Sequence, residues 1–141
     1  MKDRVFIDTN LWIYLFSKSE IPEDNRKKKS VVSLLRESSG IVISAQVLSE
    51  MSSVFLRKMN FPVDRVRSII FEMGESVDII PVFENHVTYA LDIVERYKLS
   101  WYDSLIVASA ISVQVEVLYS EDMQHEMIID NSLKIINPFI I

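Results

Sequence analysis

The sequence predicts one α/β domain, with a central, mainly parallel sheet flanked by helices. Short apolar runs alternate with longer segments whose apolar residues recur at helical spacing, which is typical of parallel sheets. At 141 residues, 49% of them hydrophobic, the chain can bury one sizeable core. Two glycines and four prolines are too few for a disordered chain or an all-β fold with many tight turns. Because no repeat or linker interrupts the pattern, we expect a single domain over residues 1–141.

Five apolar runs predict the strands of the sheet. They are residues 5–7, 41–43, 77–82, 115–119 and 133–136. Pro81 interrupts the third run and cannot donate a backbone hydrogen bond, so that strand is expected at an edge of the sheet.

Six segments between these runs have helical periodicity and begin near residues 11, 22, 45, 62, 84 and 102. Pro22 and Pro62 suit the first turns of two of these helices, and Ser44 is placed to cap the third. The last helix is rich in small and aliphatic residues and is expected to be central. The apolar positions of the second to fifth helices are Val31, Val32, Leu34, Leu35, Val47, Leu48, Met51, Val54, Phe55, Val63, Val66, Ile69, Ile70, Met73, Val87, Ala90, Leu91 and Val94.

The composition excludes several classes of function. Without cysteine the chain has no disulfide, thiolate zinc site or cysteine nucleophile. No signal-peptide core is present, and no apolar run approaches the roughly 18 residues of a membrane span. We therefore expect a cytoplasmic protein without a membrane partner. The net charge of −5 is unusual for a nucleic-acid binder, but assigning four acids to a metal site leaves a nearly neutral shell.

Four carboxylates are placed where ligands bind in α/β sheets, beyond the carboxyl ends of the strands. Asp8 ends the first strand, and Asp122 follows the 115–119 strand by a few residues. Asp103 begins a helix. Glu50 lies two turns into the third helix, roughly 100° from the centre of its apolar stripe, so it can reach a cleft at the margin of the core. All four are expected to converge at one end of the sheet.

Each acid also has a purely structural interpretation. Asp8 can cap the helix that follows it, and Asp103 lies at capping-box spacing from Ser100. Asp122 can belong to a turn, and Glu50 can be a solvated helix residue. The hypothesis of a shared site therefore depends on the ordered set of four, not on any one of them.

Five segments together resemble the motifs of PIN domains, most closely those of toxin ribonucleases from VapBC-type toxin–antitoxin pairs. They are FIDTN at 6–10, ISAQVLSE at 43–50, YDSLIVASA at 102–110, LYSEDMQH at 118–125 and INPF at 136–139. The resemblance spans nearly the whole chain. It implies a Rossmann-like fold, Mg²⁺ or Mn²⁺, cleavage of RNA, a cognate antitoxin and a homodimer.

By this motif match, the acidic, metal-binding roles fall to Asp8, Glu50, Asp103 and Asp122. Ser120 supplies a hydroxyl beside the site, and Thr9 and Asn10 support it. Glu121 competes with Asp122 as the fourth ligand, and the Ser-x-Asp spacing favours Asp122. Independently of the resemblance, hard cations take carboxylate oxygens, and a metal-bound water can attack phosphorus without a general-base side chain.

Two rival functions remain open. One is a catalytically silent PIN-like scaffold that binds RNA or a protein, which divalent-dependent cleavage would exclude. The other is a receiver-like signalling module, for which the expected acidic pair near the first strand is missing.

Histidines and aromatic residues complete the expectations. His86 is expected to be solvated, and His125 structural or substrate-facing. Trp12 is expected to be buried in the core or in dimer packing, with stacking on an RNA base as the alternative. A further expectation is that the domain leaves apolar side chains partly uncovered for an antitoxin helix. The residues considered for this surface are Trp12, Phe16, Phe55, Phe61 and Phe71.

Overall fold

A computed structural model describes residues 4–140. Residues 1–3 and 141 of the expected domain lie outside this range. The elements, in chain order, are β1 Arg4–Ile7, α1 Thr9–Phe16, α2 Pro22–Glu37, β2 Gly40–Ser44, α3 Ala45–Arg57, α4 Val63–Ser76, β3 Asp78–Ile80, α5 Glu84–Tyr97, α6 Trp101–Ser112, β4 Val117–Tyr119, β5 Ile128–Ile129 and β6 Leu133–Ile136. No helix within residues 4–140 is long and apolar enough to cross a membrane.

The sheet has six strands in the order β3-β2-β1-β4-β6-β5. All neighbouring strands run parallel except β5, which pairs antiparallel with β6. The expected α/β architecture is therefore confirmed, and β3 lies at an edge as Pro81 predicted. The strand order reverses between β1 and β4, whose carboxyl ends lie side by side. Such a switch point opens a crevice for ligands in parallel sheets.

The core forms where the predicted apolar runs meet. Phe6, Val42 and Leu118 are completely buried on three adjacent strands, and Val47, Met51 and Phe55 bury one face of α3. Helix α6 is buried from Ser104 through Ala110, which agrees with its expected central position.

Two helix faces differ from their predictions. Val63 is 53% exposed, because it is the first residue of α4 and precedes the part of the helix that packs. In α5 the buried residues are His86, Ala90 and Ile93, whereas Leu91 is exposed. The buried face of α5 is rotated from the predicted one because the small Ala90 packs closely against Leu105 and Ala108 of α6.

The β5–β6 hairpin was not predicted, because two residues are too few to give a periodic signal. Its turn contains Asp130, at a φ of 50°, and the Asp130 carboxylate accepts hydrogen bonds from Tyr89, Arg96 and Tyr97 of α5. The guanidinium and the two hydroxyls hold the pKa of Asp130 well below its usual range. This cluster ties the hairpin to α5.

Candidate metal centre

Asp8 is fixed at the junction of β1 and β4. Its backbone N–H donates to the carbonyl of Tyr119 at 2.9 Å, which extends the pairing of the two strands by one residue. One carboxylate oxygen accepts from the Thr9 N–H at 2.7 Å, and the other accepts from the Ser120 hydroxyl at 2.8 Å. Asp8 is almost completely buried. It therefore caps α1, as the structural interpretation proposed, and also presents a carboxylate at the switch point.

Asp122 is held beside Asp8 by the loop that follows β4. The buried Ser120 hydroxyl, which donates to Asp8, also accepts from the Asp122 N–H at 3.2 Å. Asn10 donates from its side-chain amide to the Asp122 carboxylate at 2.5 Å. Residues of the first and fourth motifs are thus joined through one serine and one asparagine.

Asp103 reaches the same place from the first turn of α6. Its N–H donates to the hydroxyl of Ser100, the N-cap residue, at 3.2 Å. Oxygen atoms of Asp8, Asp103 and Asp122 all lie within 4.8 Å of one another. We call these three residues the carboxylate triad. Helix capping and membership of the triad are therefore compatible roles for Asp103.

Glu50 lies beside the carboxylate triad without belonging to it. The Thr9 hydroxyl donates to Glu50 Oε1 at 2.8 Å, so α1 connects the two. Burial is the main cause that raises the pKa of Glu50, and the charges of Asp103 and Asp122 raise it further. The predicted position at the margin of the α3 apolar face agrees with this placement.

The electrostatics of the carboxylate triad are those of a crowded, half-buried anionic site. Burial raises the pKa of Asp8 to about 7, against the lowering effect of the hydrogen bonds from Ser120 and Thr9. Burial also raises the pKa of Asp103 and of Asp122. A divalent cation would stabilise the charged form of these buried carboxylates, because hard cations bind several carboxylate oxygens. The donor set, which is all oxygen, fits Mg²⁺ or Mn²⁺.

Glu121, the competitor of Asp122, is engaged elsewhere. Its carboxylate accepts from the Tyr14 hydroxyl at 2.7 Å and forms an ion pair with Lys27. Of the two neighbouring acids, Asp122 therefore lies in the carboxylate triad and Glu121 does not. Neither Tyr14 nor Lys27 was predicted near the site, because contacts across 107 and 94 residues leave no local sequence signal.

The two histidines are both structural in this fold, and the solvated position expected for His86 is wrong. His86 is buried, where Nδ1 accepts from the Phe83 N–H at 2.8 Å and Nε2 contacts the Ser112 hydroxyl at 3.0 Å. His125 Nδ1 accepts from the Asn137 N–H at 3.0 Å.

The expected apolar surface also needs correction. Trp12 is buried as predicted, with its indole N–H donating to the Ile7 carbonyl at 3.1 Å. Phe55 is fully buried and Phe16 partly so, and of the five residues considered only Phe71 is exposed, at 70%. Ser44 occupies the N-cap position of α3 as predicted, but its hydroxyl makes no capping hydrogen bond.

Comparison with known proteins gives one family match. A profile described as the PIN domain matches residues 5–128. No curated protein matches the chain.

Solved structures share the fold at low sequence identity. A chain of a toxin–antitoxin complex from Klebsiella pneumoniae is 18% identical with a TM-score of 0.72, over 96% of this chain and 98% of that one. VapC20 of Mycobacterium tuberculosis, a sarcin–ricin loop cleaving toxin, is 16% identical with a TM-score of 0.68, over 84% and 91%. FitAcB from Neisseria gonorrhoeae is 14% identical with a TM-score of 0.66, over 97% and 99%.

Proposed function

This chain belongs to the PIN domain family, and we propose that it is a metal-dependent endoribonuclease, the toxin of a type II toxin–antitoxin pair. The observation that carries the proposal is the convergence of three carboxylates within 4.8 Å at the switch point of the sheet. All three come from segments that resemble PIN motifs. The alternative, a silent scaffold, offers no reason to keep three acids together at an energetic cost.

In this proposal Asp8, Asp103 and Asp122 hold Mg²⁺ or Mn²⁺, with Glu50 as a fourth acid beside them. When bound, such a cation activates a water for attack on phosphorus and neutralises charge on the phosphate. The Ser120 hydroxyl fixes the orientation of the Asp8 carboxylate, and Asn10 does the same for Asp122.

Thr9 holds Glu50 toward the carboxylate triad through its hydroxyl. The Asp8, Asp122 and Glu50 carboxylates are therefore each held by a hydrogen-bonding side chain. Such pre-organisation aligns ligands before metal or RNA arrives.

An antitoxin partner is supported by the kind of complexes in which similar folds occur. A chain of a toxin–antitoxin complex from Klebsiella pneumoniae is among the solved structures of this fold. This chain has a largely apolar groove of about 340 Å³ between α1, α2 and α4. Side chains that line it include Trp12, Leu15, Phe16, Leu35, Ile41 and Met73. An amphipathic helix suits such a groove.

A homodimer in the cytoplasm completes the proposal. Its support is a set of exposed apolar side chains on and beside α5 and at the start of α6, since a second copy would cover them. The set comprises Phe83, Val87, Leu91 and Tyr102.

The test of the function is cleavage of RNA by the purified chain. We expect cleavage with Mg²⁺ or Mn²⁺, none with excess chelator, and recovery when metal is restored. Single-stranded RNA, structured RNA and DNA of matched sequence should be compared on gels. RNA that is bound but left intact with both metals would support the scaffold instead.

The partner is tested by co-expression with the product of the adjacent upstream gene. We expect a stable complex that inhibits cleavage. Ser76→Trp, at the rim of the apolar groove, should weaken it at least about tenfold, since the ring would occupy space needed by an apolar helix. Ser68→Trp is the matched control, because both serines are exposed on α4 and donate to a carbonyl one turn back. Equal binding by both variants would exclude this groove.

A further inference from the structure

Two adjacent carboxylates in the loop after β4 have opposite surroundings. Asp122 belongs to the carboxylate triad, whereas Glu121 accepts from Tyr14 and pairs with Lys27. Both are acids at the same edge of the sheet, so the contacts of Glu121 help to determine which of the two carboxylates lies in the triad.

The ion pair of Lys27 and Glu121 is more buried than the pair that Arg26 and Glu23 form on α2. The Lys27 and Glu121 side chains are only 19% and 21% exposed, whereas those of Arg26 and Glu23 are 58% and 54% exposed. Screening by water makes the exposed pair weak. The partly buried pair is screened less, so its loss would leave a charge without compensation.

Two aromatic rings enclose the Lys27 ammonium. Its nitrogen lies 5.3 Å from the centre of the Phe139 ring, within cation–π range. It lies 5.1 Å from the centre of the Tyr14 ring, at the hydroxyl edge of that ring. The two rings contact each other edge to face at 5.6 Å. Lys27 also donates to the Tyr14 hydroxyl at 3.3 Å. Tyr14 and Phe139 thus restrict the position of the Lys27 ammonium.

The same loop is anchored further along its length. Asn137, near the C-terminus, donates from its N–H to His125 and accepts from the Phe139 N–H at 2.9 Å. Ser120 is anchored to Asp8. Between Ser120 and His125, Asp122 is held by Asn10, and Met123 is buried in the core. Glu121 adds a further anchor, and its partner is Lys27.

We propose that Lys27 is a positioning residue which, with Tyr14 and Phe139, holds Glu121 away from the carboxylate triad and so keeps Asp122 in it. We call these three residues the Lys27 clamp. The proposal rests on the proposed function in that the carboxylate triad is taken to bind a divalent cation. Without the clamp, the Glu121 carboxylate is a further negative group, in addition to Glu50, that is free to approach the triad, and the loop that carries Asp122 loses one of its anchors.

The test uses Lys27→Met, which removes the charge but keeps a long apolar stem. In metal-free protein, amides 120–124 should exchange with deuterium at least about tenfold faster than in wild type, because local opening becomes easier. Mn²⁺ affinity, measured by calorimetry, should fall about tenfold, which is typical when residues behind metal ligands are removed. Arg26→Met, the matched control, should change neither quantity.

Two further variants separate positioning from general destabilisation. Adding Glu121→Gln to Lys27→Met removes the negative charge that has lost its lysine partner, and it should restore most of the Mn²⁺ affinity. Tyr14→Phe deletes one hydroxyl and keeps the ring, so it should shift both measurements in the same direction by a smaller factor. It also provides the measurement if Lys27→Met does not fold.

The outcomes are distinguishable from those of the proposed function. Wild type that binds no Mn²⁺ and cuts no RNA would defeat the proposed function, and loop exchange in the metal-free variants would still decide the anchoring role. Loop exchange and Mn²⁺ affinity in Lys27→Met and Tyr14→Phe equal to those of Arg26→Met would overturn the Lys27 clamp.

Discussion

Asp8→Asn is expected to abolish RNA cleavage and to leave the fold intact. Asparagine has the same shape, and its side-chain oxygen can still accept from the Thr9 N–H, which caps α1. What is lost is the charge of the most buried acid of the carboxylate triad. Because even residues behind a metal ligand contribute 10- to 100-fold to activity, the loss should be at least about 100-fold.

The same variant has a pH signature in metal-free protein. Burial raises the pKa of Asp8 to about 7 in the folded state, above its ordinary value of 3.8. The folded state therefore binds this proton more tightly than the unfolded state. The contribution of Asp8 to stability is most unfavourable above about pH 7 and improves as the pH falls toward about 4. Asp8→Asn removes this dependence.

Urea unfolding with chelator at about pH 5 and about pH 8 measures this contribution. The variant should be the more stable protein at the higher pH, and its advantage should shrink at the lower one. Asp78→Asn is the control, because Asp78 is an exposed acid on the edge strand with only a 3.5 Å pair to Arg4. If Asp8→Asn retained full RNA cleavage, Asp8 would not belong to the proposed metal site.

Convergence of the triad could be predicted because it follows from topology. Parallel strands place their carboxyl ends at one edge, so acids that follow β1 and β4 must be neighbours once those strands pair. Helix α6 adds Asp103 because its first turn starts at the same edge. The strands β1 and β2 could be predicted because their short runs of β-branched and aromatic residues are each followed by a segment with helical periodicity.

What could not be predicted depends on side-chain packing between distant segments. The buried face of α5 is set by how closely Ala90 can approach α6, which periodicity does not report. His86 is buried because Ser112, 26 residues later, supplies a polar partner. Glu121 is turned toward Lys27, 94 residues earlier, while Asp122 lies in the carboxylate triad. Each of these features depends on tertiary contacts and has no local signal in the sequence.

Asp103→Asn should lose both RNA cleavage and the stabilisation by metal, without losing its helix. At metal tenfold above the dissociation constant, wild type should gain roughly 1.4 kcal/mol, or about 3–6 °C in melting midpoint for a chain of this size. The variant should show little of this gain. With chelator its midpoint should equal that of wild type or slightly exceed it, because burial disfavours the charged carboxylate and raises its pKa.

Ser100→Ala separates the capping role from the metal role. The Ser100 hydroxyl accepts the Asp103 N–H, so its loss should cost about 1 kcal/mol with or without metal, while the metal-dependent rise remains. Melts of the three proteins with chelator, Mg²⁺ or Mn²⁺ at constant ionic strength give the comparison. If Asp103→Asn were destabilised as much as Ser100→Ala, and wild type were insensitive to both metals, Asp103 would be a helix-capping residue alone. A metal-dependent rise in wild type and Ser100→Ala but not in Asp103→Asn would instead assign its carboxylate to the metal.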